Sequence, residues 1–548
     1  RHKIFNMKKI ILLTMCLFLS FTAYSQITSA QDGNWSATTT WVGGSVPGSS
    51  DAVVIAHDVS CASTQSASTL TVNSSKTLTL TKDGALTVAG AVTNNGTVVI
   101  TGSENESGSL IATSADSFNL TYNLYIPASE WKLVGIPVSG LTVGDIDDNL
   151  ATNGSKVGIG FYDSETASWS VFLSSQTSAS ISQTRGYEMI HATGGVVDFT
   201  GALRTSNRST IATYSSKWAL LGNPYPSYLR LSDDATGASG TNYFLNSTHL
   251  SYLKNTHQNI WGWDGSAYDS YSNSDASGGS LDHIAPGDAF WVYGNDEETF
   301  TIRETMQVHQ GGQGFRNSNV EGGTDDSNLS RLALVKLSVF DANSKRYLSI
   351  VFGDDFSLGL DPGEDIGGFK AGDSHIYTQL MDGYDNVDFA IQALPYEKIS
   401  DVTIPIGIET ESGKIRLEYN KNTLPDYIDM YLEDTKENTF KKITDGFEIN
   451  FDEAYEGLGR FYLHFTDQLI PELPTDDNLR IYKGSDSDVM VMGSVGKNYS
   501  AKVYDYSGRL IKEVNFNHKT KINDLDSKMK ILRIESKEGL TIKKFKLN

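Results

Sequence analysis

The sequence predicts an all-β, multi-domain fold for a chain of 548 residues. Its runs of β-branched residues are short and end at Gly, Asn or Asp, as in strands that are joined by tight turns. No long stretch repeats apolar residues at the spacing of an amphipathic helix, so little helix is expected. The length is enough for about three to five domains. We therefore expect a short β-solenoid-like region at the N-terminus, then β-sandwich modules, and a small β-sandwich at the C-terminus.

The charge balance excludes one class of partner. The formal net charge is −22 at pH 7, from 66 acidic and 44 basic residues. A protein that binds nucleic acid presents a basic face to the phosphates. We therefore expect no nucleic-acid partner.

The first residues have the pattern of a secretory signal. Two lysines follow Met7, the apolar stretch 10–21 comes next, and a small-x-small triplet ends at Ser25. That stretch is too short to span a bilayer but has the length of a signal-peptide core. We expect residues 1–25 to be removed and the mature chain to begin at Gln26.

The two cysteines agree with an exported protein that has no disulfide. Cys16 lies inside the signal, and a lipoprotein signal that uses it is the alternative interpretation. Cys61 is then alone and cannot form an internal disulfide. No later segment has the apolar length of a transmembrane helix, so none is expected.

Residues 26–126 carry a short repeated pattern of apolar runs, most of which alternate with Thr. The runs begin at Leu70, Leu78, Leu86, Val98 and Leu110, in steps of 8, 8, 12 and 12 residues. Such steps favour stacked turns of a small β-solenoid, and a meander of hairpins is the alternative. Trp35 and Trp41 precede the runs and are expected to cap the stack.

Residues 127–306 contain an internal duplication. The segment "WKLVGIPVS" at Trp131 matches "WALLGNPYPS" at Trp218, with an offset of 87 residues. Three later matches have an offset of 101 residues: Tyr162 with Trp263, Gly186 with Gly287, and Phe199 with Phe300. We expect two β repeats, at about 127–205 and 214–306, with an insertion in the second copy. If the pair binds a ligand, the site is expected where the two copies differ.

Aromatic residues of the second repeat are candidates for such a site. Trp261 aligns with Gly160, and Tyr268 has no clean counterpart in the first copy. Flat aromatic rings stack on sugars, so these two residues are candidates for glycan binding. The alternative is that they pack in a core.

Residues 329–467 read as a β-sandwich between two linkers, 307–328 and 468–477. An acidic loop after one of its strands could supply the hard oxygens that calcium prefers. The candidate ligands are Asp354, Asp355, Asp361, Glu364 and Asp365. The alternative is a turn in which the Asp side chains cap backbone N–H groups.

Known catalytic patterns are absent from the sequence. It has no nucleophile elbow, no zinc-protease motif and no phosphate-binding loop. A glycosidase could still hide its two carboxylates, because the fold and not the sequence sets their separation. We expect a protein that is not an enzyme and assign it no catalytic residue.

The last segment, 478–548, is more basic than the rest of the chain. It contains "AKVYDYSGRLIKEVN", then "INDL", and closes on "LRIESKEGLTIKKFKLN". This segment resembles the C-terminal sorting domain of cargo proteins of the type IX secretion system of Bacteroidetes. The residues that carry the resemblance are Tyr504, Asp505, Gly508, Arg509, Lys543 and Lys544.

The resemblance implies a route. It implies Sec export, passage through the outer membrane by the type IX secretion machinery, and a final place outside the cell or on its outer surface. Together with repeated β modules, this suggests a non-enzymatic adhesin or an extracellular matrix component. The alternative is a glycan-binding accessory protein, or a cryptic carbohydrate-active enzyme, whose partner is an extracellular polysaccharide or a cell-surface glycan.

Overall fold

In the computed structural model, strands make up 52% of the chain and helices 5%, so the all-β prediction is confirmed. The structure describes residues 26–545 apart from 104–105, 114–117, 129, 234, 274–281, 310–331, 342–343, 371–373, 385–386, 412, 438, 467–478, 484–488, 494–496, 518, 527 and 538. The expected signal segment 1–25, with Ser25, and the expected linker 468–477 lie outside the described residues, as does most of the linker 307–328. None of the helices in the described part of the chain reaches the length and apolar character needed to span a bilayer.

The N-terminal region is a β-solenoid of about four turns. Its strands are β1 (Gln26–Thr28), β2 (Gly33–Asn34), β3 (Ala52–Ile55), β4 (Val59–Cys61), β5 (Thr64–Ala67), β6 (Thr69–Val72), β7 (Thr77–Leu80), β8 (Ala85–Val88), β9 (Val92–Asn94), β10 (Thr97–Thr101) and β11 (Ser109–Ala112). They form three parallel sheets, in the orders β1-β3-β6-β9, β2-β4-β7-β10 and β5-β8-β11. The short steps seen in the sequence are therefore the three sides of each turn, and the hairpin alternative is wrong.

Equivalent apolar residues stack from turn to turn inside the solenoid. Val59 pairs with Leu78, and Leu78 pairs with Val98 in the next turn. At the first turn, the buried rings of Trp35 and Trp41 meet edge to face, with centroids 5.0 Å apart. The indole N–H of Trp41 donates to the carbonyl of Trp35, so this pair closes the core at that end.

The two repeats follow. The first comprises β12 (Asn119–Ile126), β13 (Lys132–Val134), β14 (Thr152–Asn153), β15 (Lys156–Asp163), β16 (Ser168–Leu173), β17 (Tyr187–Met189) and β18 (Gly195–Ala202). The second comprises β19 (Arg208–Ser209), β20 (Trp218–Gly222), β21 (Tyr228–Arg230), α1 (Ser247–Tyr252), β22 (Ile260–Trp263), β23 (Tyr268–Tyr271), β24 (His283–Ile284), β25 (Ala289–Tyr293), β26 (Thr301–Ile302) and β27 (Gln307–Val308).

Both repeats have the same strand order. In the first, the path is β13-β17-β15-β16, while β12 pairs with the last strand, β18. In the second, it is β20-β25-β22-β23, while β19 pairs with β26. Strand β12 also extends the solenoid, because it pairs in parallel with β10. The solenoid and the first repeat consequently share one apolar core.

The repeats contact each other reciprocally, as the two halves of an isologous dimer do. The N–H of Gly135 donates to the carbonyl of Gly287 (3.0 Å), and the N–H of Gly222 donates to that of Thr184 (3.1 Å). Gly135 and Gly222 are the glycines of the two W-x-L-x-G segments. A Cβ on Gly222 would lie 2.9 Å from the Cα of Gly135, so the motif forms the joint between the copies.

The third region is one 11-stranded sheet that curves around a single core. Its strands are β28 (Leu332–Phe340), β29 (Lys345–Gly353), β30 (Ile366–Gly367), β31 (His375–Thr378), β32 (Phe389–Pro395), β33 (Asp401–Thr410), β34 (Gly413–Asn422), β35 (Asp429–Asp434), β36 (Thr439–Lys442), β37 (Phe447–Phe451) and β38 (Tyr455–Thr466). Its end strands, β36 and β37, line one groove of about 550 Å³, so the layers face each other as in a sandwich.

The C-terminal module is a small sandwich with its own core. Its strands are β39 (Arg480–Lys483), β40 (Val489–Met492), β41 (Tyr499–Asp505), β42 (Leu510–Phe516), β43 (Lys519–Ile522), β44 (Lys530–Glu535) and β45 (Leu540–Phe545). They form two sheets, β39-β40-β43 and β42-β41-β44-β45.

Candidate functional site

The outer faces of the five-stranded sheet of the first repeat and the four-stranded sheet of the second repeat lie side by side and meet the third region. An apolar cluster joins both repeats to that region through Leu133, Leu220, Trp261, Ala289, Trp291, Leu334, Val351, Ile366, Ala390 and Ile391. Most of these residues come from the second repeat and the third region. The cluster therefore fixes the second repeat against the sandwich.

Phe369 is the centre of the aromatic part of this cluster. Its ring centroid lies 4.5 Å from that of Tyr268, 4.7 Å from Trp218 and 5.9 Å from Trp261. Trp261 is only 4% exposed. Burial is also the main cause that raises the pKa of Tyr268. The buried Trp261 and the half-buried Tyr268 thus pack in an inter-domain cluster, which agrees with the alternative interpretation that they belong to a core, and the hypothesis that they form an exposed glycan-binding surface is corrected.

Polar contacts hold the same interface at its edge. Lys336 Nζ lies 2.5 Å from a carboxylate oxygen of Asp269, and both side chains are less than a tenth exposed. The hydroxyl of Tyr347 donates to Asp264 at 2.6 Å. Aromatic burial and a buried ion pair therefore both hold the second repeat against the third region.

The predicted calcium site is not assembled in this structure. Among the described residues, no three His, Cys, Asp or Glu side chains lie close enough together to hold a metal ion. Asp354 and Asp355 are exposed. Asp361 accepts the N–H of Ser357, and the buried Asp365 accepts the N–H groups of Asp361 and Ala393. With Glu364 half-exposed beside them, the loop follows the alternative interpretation, in which Asp carboxylates cap backbone N–H groups.

The first repeat presents the same sheet face with different residues. Across its sheet, Leu133 pairs with Glu188, Glu188 with Gly160, and Gly160 with Val171. In the second repeat, the corresponding row is Leu220, Trp291, Trp261 and Ser270. Cross-strand partners project from the same face of a sheet. Glu188 therefore stands in the place of Trp291, and Gly160 in the place of Trp261.

The next row contains aromatic residues in both copies. Tyr162 pairs with Trp169 in the first repeat, as Trp263 pairs with Tyr268 in the second. Trp169 is 41% exposed, whereas its counterpart Tyr268 packs on Phe369. The position that Phe369 covers in the second copy is thus partly exposed in the first, where Trp291 packs on Trp169 and Tyr162 at ring-centroid distances of 5.7 and 5.0 Å.

We call this surface the Trp169 face and define it by Gly160, Tyr162, Trp169, Val171 and Glu188. Gly160 is buried, and a Cβ on it would lie 3.1 Å from the carbonyl oxygen of Ser170 and 3.6 Å from the Val171 side chain. Val171 lies beside it on strand β16 and is 38% exposed.

Glu188 is the ionisable group of the Trp169 face. It is half-buried, and loss of hydration raises the pKa of its carboxyl group to about 7. No hydrogen bond or ion pair from a described residue contributes to that shift. The proton state of this carboxyl group therefore changes near neutral pH.

Sequence reasoning missed Trp169 and Glu188. The sequence alignment matched Gly186 with Gly287. In the structure, Glu188 pairs with Leu133 as Trp291 pairs with Leu220. Glu188 therefore corresponds to Trp291, which shifts the alignment of this strand by two residues. A register shift of two leaves the apolar-polar alternation unchanged, so the pattern itself could not reveal it. The pattern that could have drawn attention to Trp169 is the alternation W-x-V-x-L in β16, which places Trp169, Val171 and Leu173 on one face of the strand.

The residues of the sorting resemblance build one hairpin and one edge strand. Asp505 accepts the N–H groups of Ser507 and Arg509, and Gly508 has φ +86°, which favours glycine. The Ser507 hydroxyl and the N–H of Arg509 lower the pKa of Asp505 to about 2. Tyr504 lies before this turn on β41.

Lys543 and Lys544 lie on the last described strand, β45. Both side chains are exposed. Lys543 pairs with Leu532 and Lys544 with Ile531, so β45 borders β44 on one side only.

These features define the class: an all-β protein in which a solenoid, two fused repeats and a sandwich form one body that is followed by a separate small module. The chain belongs to the family described as "Domain of unknown function (DUF8693)", whose match covers residues 26–465 and thus the whole of that body. No curated protein matches the chain.

Two solved structures have a weak likeness to this chain. One is a segment of two fibronectin type III domains from chicken tenascin, with 11% identity and a TM-score of 0.12, over 25% of this chain and 93% of that one. The other is the β-glucuronidase of Parabacteroides merdae with glycerol in its active site, with 9% identity and a TM-score of 0.10, over 27% of this chain and 29% of that one. Scores this low carry no argument about function.

Proposed function

We propose that this chain is exported by type IX secretion and acts outside the cell as a non-enzymatic adhesin or matrix component. The proposal includes a signal peptide that is cleaved before Gln26 and a C-terminal sorting module. It also includes display on the outer surface or release from it. The resemblance of residues 478–548 to sorting domains is the basis for the route.

The observation that supports this most is the contrast between two attachments. An apolar core and a buried ion pair join the second repeat to the sandwich. The C-terminal module instead contacts the sandwich through lysines: Lys519 donates to the carbonyls of Leu380 (2.9 Å) and Gly383 (3.3 Å), and Lys521 pairs with Asp382. Partly exposed polar contacts of this kind contribute about 0–1 kcal/mol each. A module held in this way can dock with export machinery and then be removed without exposing a core.

A rigid body also suits adhesion. Shared cores join the solenoid to the first repeat and the repeats to the sandwich. Such a body keeps a binding face at a fixed place. The second candidate, a glycan-binding protein, is favoured by one specific observation, the 41% exposure of the Trp169 side chain.

Deletion of residues 478–548 tests the route. The truncated chain should accumulate in the periplasm of a host that has the type IX system, while the full chain reaches the medium or the surface. The double variant Lys519→Ala/Lys521→Ala is the matched control, because it removes the contacts of the module but leaves the module itself. Equal surface amounts of the truncated and full chains would refute the proposal.

A further inference from the structure

We propose that the groove between β36 and β37 binds an extended peptide segment of another protein, in which basic residues alternate with apolar ones. The segment adds as a further strand to the free edge of β37. This inference names the class of partner for the proposed adhesive function, and it rests on that function for the place where the partner is met.

Strands β36 and β37 are the two ends of the 11-stranded sheet, although they follow each other in the chain. β36 pairs with β35 and β37 pairs with β34, and among the described strands neither has a neighbour on its other side. An antiparallel end strand turns alternate N–H and C=O groups away from its one neighbour. An extended peptide can bond to such an edge through its own backbone.

The groove between these strands has a volume of about 550 Å³ and an apolar part. Phe447, Ile449 and Phe451 lie on one face of β37 and line the groove together with Tyr455 and Phe461. The rings of Phe447 and Tyr455 are only partly buried, so the described residues leave apolar surface uncovered here. A strand beside β37 places every second side chain on this face, next to its cross-strand partner. We therefore expect apolar residues at those positions of the bound segment.

Charge sets the alternate positions of the segment. Glu448 and Asn450 alternate with the apolar residues of β37 and are exposed. Glu448 pairs with Lys414 at 2.9 Å, but both side chains are exposed, and such a pair is weak enough for the cation of a partner to replace Lys414. In the lining of the groove, acidic side chains outnumber basic ones: Asp434, Glu437, Glu448, Asp452 and Glu453 against Lys436, Lys441 and Arg460. A basic segment therefore matches the charge of the groove.

Arg460 and Asp434 compensate each other inside the groove. Arg460 donates to both carboxylate oxygens of Asp434, from Nε at 2.8 Å and from a terminal nitrogen at 2.7 Å. Its guanidinium carbon also lies 4.6 Å from the ring centroid of Phe461 and 5.6 Å from that of Tyr455. These contacts order this part of the groove before a partner arrives, and an ordered site loses little conformational entropy on binding.

Isothermal titration calorimetry on the purified full chain tests the proposal. The probe is a short synthetic peptide with blocked ends in which Lys and Val alternate, and it should bind more weakly as salt is added. A peptide in which Glu replaces each Lys should not bind. A peptide in which Pro replaces each Val keeps the charge but cannot pair along a strand edge, so it should not bind either.

The double variant Glu448→Lys/Asp452→Lys should bind the Lys/Val peptide roughly tenfold more weakly or worse, because it reverses two charges beside the edge of β37. The matched control is Glu165→Lys/Asp426→Lys, which changes the net charge equally at two exposed positions outside the groove and should leave the affinity unchanged. Urea unfolding shows whether each variant is folded, and the single variant Asp452→Lys takes the place of the double variant if that one is not.

The proposal is overturned if the Lys/Val peptide does not bind the parent chain, or if it binds the double variant as tightly. It is also overturned if the Lys/Pro peptide binds as tightly as the Lys/Val peptide, because charge alone would then explain the binding. A dimer in sedimentation that the double variant dissolves would place a second copy in the groove and would overturn it as well. The assay involves no export, so its failure would leave the proposed route untouched, and failure of the deletion experiment would not alter peptide binding.

Discussion

Gly135 and Gly222 touch across the joint between the two repeats: a Cβ on Gly222 would lie 2.9 Å from the Cα of Gly135. Each belongs to a W-x-L-x-G segment, and each donates its N–H across the joint. The shared motif is thus the contact by which two copies of one unit face each other. Its conspicuous residues are structural: Asn223 and Tyr225 of the second segment are fully buried.

A larger side chain in the joint between the two repeats should destabilise the protein. In Gly135→Ala, the new methyl group would lie 2.3 Å from the carbonyl oxygen of Asp288, which is backbone and cannot rotate away. We expect the free energy of unfolding to fall by about 1–3 kcal/mol, the usual cost of overpacking. Urea unfolding followed by Trp fluorescence measures it. Gly48→Ala, whose Cβ would have nothing closer than 3.8 Å, is the control and should be neutral or slightly stabilising.

Removal of one partner of the buried ion pair between Lys336 and Asp269 should lower the free energy of unfolding much more than replacement of both partners. Lys336→Met leaves the carboxylate of Asp269 buried without a cation, which should cost about 3–5 kcal/mol. The double variant Lys336→Met/Asp269→Asn removes both charges and should recover much of that loss. Equal unfolding midpoints for the single and double variants would contradict this account.

The acidic loop should depend on hydrogen bonds and not on calcium. Asp365→Asn keeps one acceptor oxygen but turns an amide group toward a backbone N–H, so we expect a loss of about 1–3 kcal/mol. A metal chelator should leave the thermal midpoint of the parent protein unchanged. A chelator-dependent midpoint that calcium restores would show that the loop does take a metal ion.

Glu188 should make stability depend on pH in a definite direction. Burial raises its pKa from 4.5 to about 7, so the folded chain holds this proton at pH values where the unfolded chain has lost it. Its contribution therefore favours folding below about pH 4.5 and is lost as the pH rises through 7. Glu188→Gln should raise the free energy of unfolding by about 1–2 kcal/mol at pH 8, after allowance for solvent screening, and change little at pH 4.

Unfolding at pH 4 and pH 8 checks this prediction. The exposed Glu165 of the same repeat provides the control, since Glu165→Gln should alter neither value. If Glu188→Gln were no more stabilising at pH 8 than at pH 4, the carboxyl group would not be the buried acid that the structure shows.

Much of the fold was predictable because it follows from local patterns. The apolar runs at Leu70, Leu78 and Leu86 form the three sides of one turn, as their regular steps suggested. Strand β12 was harder, because its eight residues serve two units at once and no composition change marks a shared strand.

The candidate site was less predictable. Trp261 and Tyr268 were candidates for an exposed binding surface, because aromatic residues in a strand give the same sequence pattern whether solvent or another domain covers them. Phe369, which covers them, lies about a hundred residues away in the chain. Trp169 and Glu188 drew no attention because their meaning depends on the register of each sheet.

The sequence by itself determined the all-β class, the steps of the solenoid and the match between the segments at Trp131 and Trp218. Each of these rests on residues that lie near one another in the chain or repeat in the same order. Only the tertiary structure decided which copy of the repeated face packs against the third region. The reason is physical: burial depends on contacts between distant segments, and the third region can pack its core on only one of two similar faces.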